Sequence, residues 1–225
     1  MLRTSKILML AAALASALAA QADDPLWLGL QKQAPALSQR LAGKVKRHMD
    51  CYDGKDKGTG STDDLFLFQG WKGDKPQFKA ESHQGQGELA KDMPDLADSD
   101  FLKLATQPET LLAFTPKKNK RLSRLGDETL EGRPCAIFEI DAEGSGIKGH
   151  KRIWIEKNSG LPLQVDLSLS GMGVKSFHSL VRFHQAGDGA WTPAVADSDM
   201  VVSMLFISAR LKCHLEFLDW IGRNH

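Results

Sequence analysis

The sequence lacks the motifs that carry the common catalytic chemistries. It contains no His-Glu-x-x-His zinc motif, no Gly-x-Ser-x-Gly nucleophile elbow and no glycine-rich loop that ends in Gly-Lys-Ser or Gly-Lys-Thr. Its three cysteines are scattered and form no Cys-x-x-Cys pair, which argues against a redox motif or a metal site. We therefore predict a protein that is not an enzyme and that needs no cofactor and no metal.

A strong charge of either sign is also missing. The formal net charge of the 225 residues is +1, which argues against nucleic-acid binding by bulk electrostatics. Loss of the N-terminal leader described next removes Arg3 and Lys6 and changes the net charge from +1 to −1. We predict no nucleic-acid partner.

The apolar run at the N-terminus is too short to span a bilayer. Arg3 and Lys6 precede an apolar stretch of about a dozen residues, whereas a transmembrane helix needs about 20. The small-x-small sequence Ala20-Gln21-Ala22 follows, as at a cleavage site. This pattern predicts a secretory signal peptide over residues 1–22, an exported protein that is not integral to a membrane, and a single mature domain over residues 23–225.

Alternation of apolar and polar residues predicts an antiparallel sheet with one buried face. A hairpin connection is expected at Lys157-Asn158-Ser159-Gly160, because Asn and Gly tolerate the positive φ of tight turns. We count eight to ten strands. The residues expected on the buried face of the central strands are Phe138, Ile140, Ile153, Ile155, Leu163, Val165, Leu167, Leu169, Val181 and Phe183.

The first mature element is predicted to be helical. Asp24 suits the cap and Pro25 the first turn, and after a break at Pro35 the apolar residues Leu37, Leu41 and Val45 recur every four positions. The expected amphipathic helix ends near His48.

The rest of the chain divides into loops, hairpins and short helices. We expect a polar loop over 52–64, a hairpin made of 65–71 and 76–80, and two short helices within 95–114. A strand from 177 to 183 follows, and the run 200–217 is expected to be the last and longest strand.

One disulfide would leave one cysteine unpaired. Alternation places Cys135 on the face of Ile137 and Glu139, and Cys213 on the face of Leu211, Leu215 and Phe217. If these faces are opposite sides of the sheet, Cys135 and Cys213 cannot pair, and we prefer a bond between Cys51 and Cys213.

Short turn and strand-end motifs follow one another in a characteristic order: Gly70-Trp71, Arg124-Leu125-Gly126-Asp127-Glu128, Gly132-Arg133-Pro134, Ile153-Trp154-Ile155, Gly160-Leu161-Pro162 and Gly189-Ala190-Trp191-Thr192-Pro193. Together with the leader and the first helix, this order resembles the periplasmic outer-membrane lipoprotein-sorting protein family, to which the LolA and LolB carriers belong. The resemblance spans most of the mature chain.

The resemblance implies an α+β fold in the periplasm. A curved antiparallel sheet would form an incomplete β-barrel, with helices covering its concave face. The apolar cavity would hold a lipoprotein acyl chain or another lipid-like ligand. A functional arginine of the carriers matches no single position here; Arg40 lies in the corresponding predicted helix, and this match is by location alone.

Two functions remain open from the sequence. In the first, a hydrophobic ligand binds the apolar face of the sheet, through Phe138, Ile140, Ile153, Ile155, Val165, Leu167, Leu169, Val181 and Phe183. In the second, the same fold serves as an envelope sensor or scaffold, and Trp71 and Trp154, expected to be exposed away from that face, contact a protein partner.

Overall fold

The computed structural model describes residues 23–73, 75–87, 107–112, 120–144, 146–171, 174–187, 189–204 and 207–223. The signal peptide predicted over 1–22 lies outside these ranges. So does most of the predicted helix pair, of which only one turn is described, α2 (Glu109–Leu112). Within the described ranges, no helix has the length and apolar composition needed to cross a bilayer.

Ten antiparallel strands form one open sheet in the described chain. Its order is β3-β2-β1-β10-β9-β8-β7-β6-β5-β4, so β3 and β4 are the edges and the sheet does not close on itself. The predicted antiparallel architecture and strand number are confirmed. The strands are β1 (Arg40–Asp53), β2 (Gly58–Lys72), β3 (Lys75–Gly87), β4 (Lys120–Leu130), β5 (Arg133–Gly144), β6 (Ile147–Glu156), β7 (Pro162–Gly171), β8 (Val174–Gln185), β9 (Trp191–Met204) and β10 (Ile207–Gly222).

The sheet has two chemically different faces, because side chains alternate along each strand. The apolar face is defined by one row of cross-strand partners: Phe138, Ile153, Val165, Val181, Ala196 and Leu215. The charged face is defined by the adjacent row: Glu139, Arg152, Asp166, Leu180, Asp197 and His214. The main hydrophobic core contains the whole first row.

The helix α1 (Pro25–Ser38) precedes the sheet. The Asp24 carboxylate accepts a hydrogen bond from the Leu26 amide at 2.9 Å, and Pro25 occupies the first turn. Residues on one stripe of α1 are buried and join the core of the apolar face: Trp27, Leu30, Ala34 and Leu37. The helix therefore packs against the sheet through an amphipathic stripe.

The prediction that this helix continues to His48 was wrong. Pro35 lies inside α1, and the helix ends at Ser38. Arg40, assigned to the helix by the family resemblance, is the first residue of β1. Leu41 and Val45 are buried residues of this strand. The prediction failed because a spacing of four residues places side chains on one face of a strand as well as on one face of a helix.

Two further boundaries differ from the prediction. The loop expected over 52–64 is short, because β2 begins at Gly58; its turn is held by the Asp53 carboxylate, which accepts from the Lys55 and Lys57 amides. The run 200–217, expected to be one strand, belongs to two antiparallel strands, since Met204 of β9 pairs with Ile207 of β10. The hairpin of β2 and β3 is confirmed.

A β-bulge interrupts the alternation at the start of β7. Ile155 pairs with Pro162 and Trp154 with Gln164, so Leu163 is the extra residue. Leu163 packs with Cys135 and Trp154 in a second, small cluster rather than in the core of the apolar face, which corrects its predicted position. Trp154 points away from the apolar face as predicted, but it is buried, and its indole donates to Glu128 Oε2 at 3.2 Å.

The three cysteines are buried free thiols, so the preferred disulfide is not formed. Cys213 is the partner of Met49 and Cys51 that of Leu211, which makes the two cysteines diagonal neighbours. Such residues stand about 7–8 Å apart, beyond the usual Cα separation of a disulfide. Burial raises the pKa of the Cys213 thiol to about 12, so it stays protonated at neutral pH.

Candidate ligand-binding face

The nine residues predicted to line a hydrophobic site fall into two groups. Seven are buried members of the core of the apolar face: Phe138, Ile140, Ile153, Ile155, Val165, Val181 and Phe183. Leu167 and Leu169 lie farther along β7 on the same face and are only half-buried. The predicted set is therefore brought together, but most of it is filled by the protein itself.

Side chains of helix α1 belong to the core cluster of this part of the face, together with Leu111 and Leu112 of α2. The rings of Trp27 and Phe138 lie with their centroids 5.5 Å apart, and Leu30 belongs to the same cluster. The helices are also joined to each other, because Gln31 Nε2 donates to the Leu112 carbonyl at 3.1 Å. Lys151 Nζ, from β6, donates to the Leu111 carbonyl at 2.9 Å.

The part of the apolar face near the β7–β8 and β9–β10 turns is less deeply buried than the core described above. Leu169, Phe177, Met200 and Leu211 are successive cross-strand partners on β7, β8, β9 and β10, and all four are half-buried. We call this set the open row. Of its members the sequence predicted only Leu169 as a site residue; the others follow from the register, which alternation within one strand cannot supply.

A buried ion pair interrupts the apolar face near the β3 edge. Arg47 donates from Nε and Nη2 to one oxygen of Asp64, at 2.8 and 2.6 Å. The other oxygen of Asp64 contacts His83 Nδ1 at 2.5 Å. The guanidinium carbon of Arg47 also lies 5.0 Å from the ring centre of Phe66, a cation–π arrangement that lets the charge pack among apolar groups.

Histidine–aspartate pairs are the main feature of the charged face. The pairs are His48 with Asp63 at 2.8 Å, His150 with Asp141 at 2.8 Å, His178 with Asp166 at 2.9 Å and His214 with Asp197 at 2.7 Å.

One group of side chains on this face has the spacing that a metal ion would require. The ligand atoms of Glu139, Asp141 and His150 lie within 4.8 Å of one another. Arg152 Nε donates to Glu139 Oε2 at 2.9 Å, so a guanidinium already pairs with one of the two carboxylates of this cluster.

We expect the His48 pair to make stability depend on pH. The hydrogen bond to Asp63 is the main cause that raises the pKa of His48 above its ordinary value, despite some desolvation. A raised pKa in the folded state contributes stability below the unfolded pKa of about 6.5, and this contribution is lost as the pH rises through the folded pKa. His48→Gln should therefore lower the melting temperature at about pH 5.5 and change it less at about pH 8.5. An equal effect at both values would contradict the assignment.

No protein-family model matches the sequence, and no curated protein does. Among solved structures, a DUF1329 family protein from Desulfovibrio piger aligns over 89% of this chain and 93% of its own, with 14% identity and a TM-score of 0.37. A putative outer membrane lipoprotein-sorting protein domain from Vibrio parahaemolyticus aligns over 88% and 92%, with 12% identity and a TM-score of 0.39. The lipoprotein LppX of Mycobacterium tuberculosis aligns over 84% and 94%, with 12% identity and a TM-score of 0.26. The Vibrio parahaemolyticus protein is described by the same family name, outer membrane lipoprotein-sorting protein, that the motif order resembles.

Proposed function

We propose that the chain is a non-enzymatic binding protein for a hydrophobic ligand, such as a lipoprotein acyl chain, which it holds on the apolar face. The observation that carries the proposal is the open row, Leu169, Phe177, Met200 and Leu211, whose apolar side chains remain half-buried beside a fully buried core. Neighbouring strands stand about 4.8 Å apart, so these four residues extend about 14 Å across the sheet. That shape suits an extended acyl chain.

In this proposal, helix α1 acts as a lid over the deeper part of the site. Trp27 occupies the space above Phe138. Polar contacts outside its apolar stripe also hold the helix in place: Asp24 with Arg124 at 2.7 Å, Gln31 with the Leu112 carbonyl at 3.1 Å and Gln33 with the Gly160 carbonyl at 3.4 Å. Movement of α1 would open the row of Phe138, Ile153, Val165 and Val181 to a ligand that first contacts the open row.

The proposal includes an exported protein that acts in the periplasm. The leader over residues 1–22 is removed after Ala22, and residues 23–225 form one domain. The ten-stranded sheet supports the single domain, because every described strand pairs with its neighbours in it.

Binding of a fluorescent fatty-acid probe tests the proposal. Burial of about a dozen methylenes at ~0.8 kcal/mol each exceeds the ~8 kcal/mol of a micromolar dissociation constant, before the costs of ordering the chain. We expect micromolar binding to the wild type. Met200→Glu should weaken it at least about tenfold, because a charge in the middle of the open row must be desolvated by the acyl chain.

The matched control is Leu125→Glu, which places the same charge on an exposed leucine of the edge strand β4. It should leave the probe affinity unchanged. Circular dichroism and thermal melting establish that both variants are folded. No binding to the wild type, or equal binding by Met200→Glu and Leu125→Glu, would refute a ligand site at the open row.

A further inference from the structure

An aromatic cluster lies at the tip of the β2–β3 hairpin. The ring of Phe68 contacts those of Trp71 and Phe78 edge to face, with centroid distances of 5.6 and 5.8 Å. Trp71 is 39% exposed, a large fraction for an indole supported by a neighbouring ring. The cluster is therefore anchored on its inner side by Phe68 and open to solvent at Trp71.

The end of β10 meets this hairpin tip. The guanidinium carbon of Arg223 lies 5.8 Å from the ring centre of Trp71, and the Arg223 amide donates to the Gln39 carbonyl at 2.7 Å. Ile221, two residues earlier, is 38% exposed. Two of the large exposed apolar side chains of the described chain thus lie at the same end of the sheet.

The charge around the hairpin tip is basic. Lys72 and Lys79 are exposed on the hairpin, and residues 71–79 contain three lysines and one aspartate. Arg223 adds a positive charge beside Trp71, while Asp219 of β10 pairs with Lys44 at 3.3 Å. The protein as a whole is nearly neutral, so this concentration of positive charge is local.

We propose that this end of the sheet, defined by Trp71, Lys72, Lys79, Ile221 and Arg223, docks on the surface of an anionic lipid bilayer. An indole with a polar edge and an apolar body is suited to the boundary between headgroups and acyl chains. Lysine and arginine side chains extend their charges to lipid phosphates while their methylenes lie on the apolar layer. The combination of exposed aromatic and aliphatic groups with net positive charge favours this occupant over a protein partner.

When this end of the sheet is docked on a bilayer, the proposed ligand site does not contact the membrane. The strand ends beyond the open row lie at the opposite end of the sheet, because Met200 and Leu211 are near the β9–β10 turn while Trp71 is at the β2–β3 turn. The surface thus supplies a function that the open row does not: it orients the chain on a bilayer. The two proposals are independent.

Flotation with lipid vesicles tests the docking surface. We expect wild-type protein to float with vesicles in which about a third of the lipid is phosphatidylglycerol, more weakly with pure phosphatidylcholine, and less at high salt. Trp71→Ala and the double variant Lys72→Glu/Lys79→Glu should each reduce binding to the anionic vesicles about tenfold.

Two controls separate this surface from other causes of flotation. Leu125→Ala removes an exposed apolar side chain of similar exposure from the β4 edge and should bind vesicles like the wild type. Met200→Glu should also bind like the wild type, because it damages only the proposed ligand site. Absence of flotation with anionic vesicles, or equal loss in Leu125→Ala and Trp71→Ala, would overturn the proposal, and loss in Met200→Glu would assign vesicle binding to the apolar face instead.

Discussion

Asp64→Leu is expected to destabilise the protein by about 3–5 kcal/mol, because it leaves the Arg47 guanidinium buried without its counter-charge. Both side chains are almost completely buried, with exposed fractions of 5% for Arg47 and 2% for Asp64. Asp64 also accepts the contact from His83, so its loss removes the acceptor of three contacts. Equilibrium unfolding in guanidinium chloride measures the effect.

The double variant Arg47→Met/Asp64→Leu should recover most of this loss. Apolar side chains of similar volume can replace a buried ion pair at little cost, because neither charge has to be desolvated. The four proteins of the double-mutant cycle therefore should show a large coupling energy. The exposed pair Lys46–Glu216, at 3.2 Å, is the control and should give a coupling of less than about 1 kcal/mol. A double variant as unstable as the sum of its singles would give no coupling energy and would contradict a mutual stabilisation of Arg47 and Asp64.

The central strands could be predicted because apolar residues recur at alternate positions along them. Val165 lies between Gln164 and Asp166. Arg152 and Glu156 flank the run that contains Ile153 and Ile155, and the structure places these three apolar residues in one core with Val181. The bulge at Leu163 could not be predicted in the same way. The extra residue changes the faces of Pro162 and Leu163 at the start of β7, whereas the residues from Gln164 onward alternate regularly, so the pattern within the strand does not reveal it.

The predicted end of the first helix, near His48, was wrong for a different reason. The spacing of Leu37, Leu41 and Val45 is a multiple of two as well as close to one helical turn, so periodicity does not distinguish the two structures there. Pairing with distant strands determines that this segment is a strand: Val45 lies between Phe217 of β10 and Phe66 of β2. Those partners are distant in the sequence, and local propensity carries no information about them.

The candidate site shows the same limit. Alternation identified the apolar face, but not which part of it the helix would fill. Trp27 was not singled out as a core residue, although it lies against Phe138. Phe177 and Met200 become site residues only through their position between Leu169 and Leu211 in the register of four strands.

Phe138→Ala is expected to cost about 3–5 kcal/mol of unfolding free energy, as for other fully buried phenylalanines, through lost burial and a residual cavity. The ring is fully buried and in contact with Trp27, so α1 loses part of its packing surface as well.

The matched change on the same face is Phe177→Ala in the open row. Because Phe177 is only half-buried, its loss should cost about 1 kcal/mol. Denaturant unfolding followed by circular dichroism measures both. Equal costs would mean that α1 does not pack on Phe138 and that the ligand space extends across the whole apolar face.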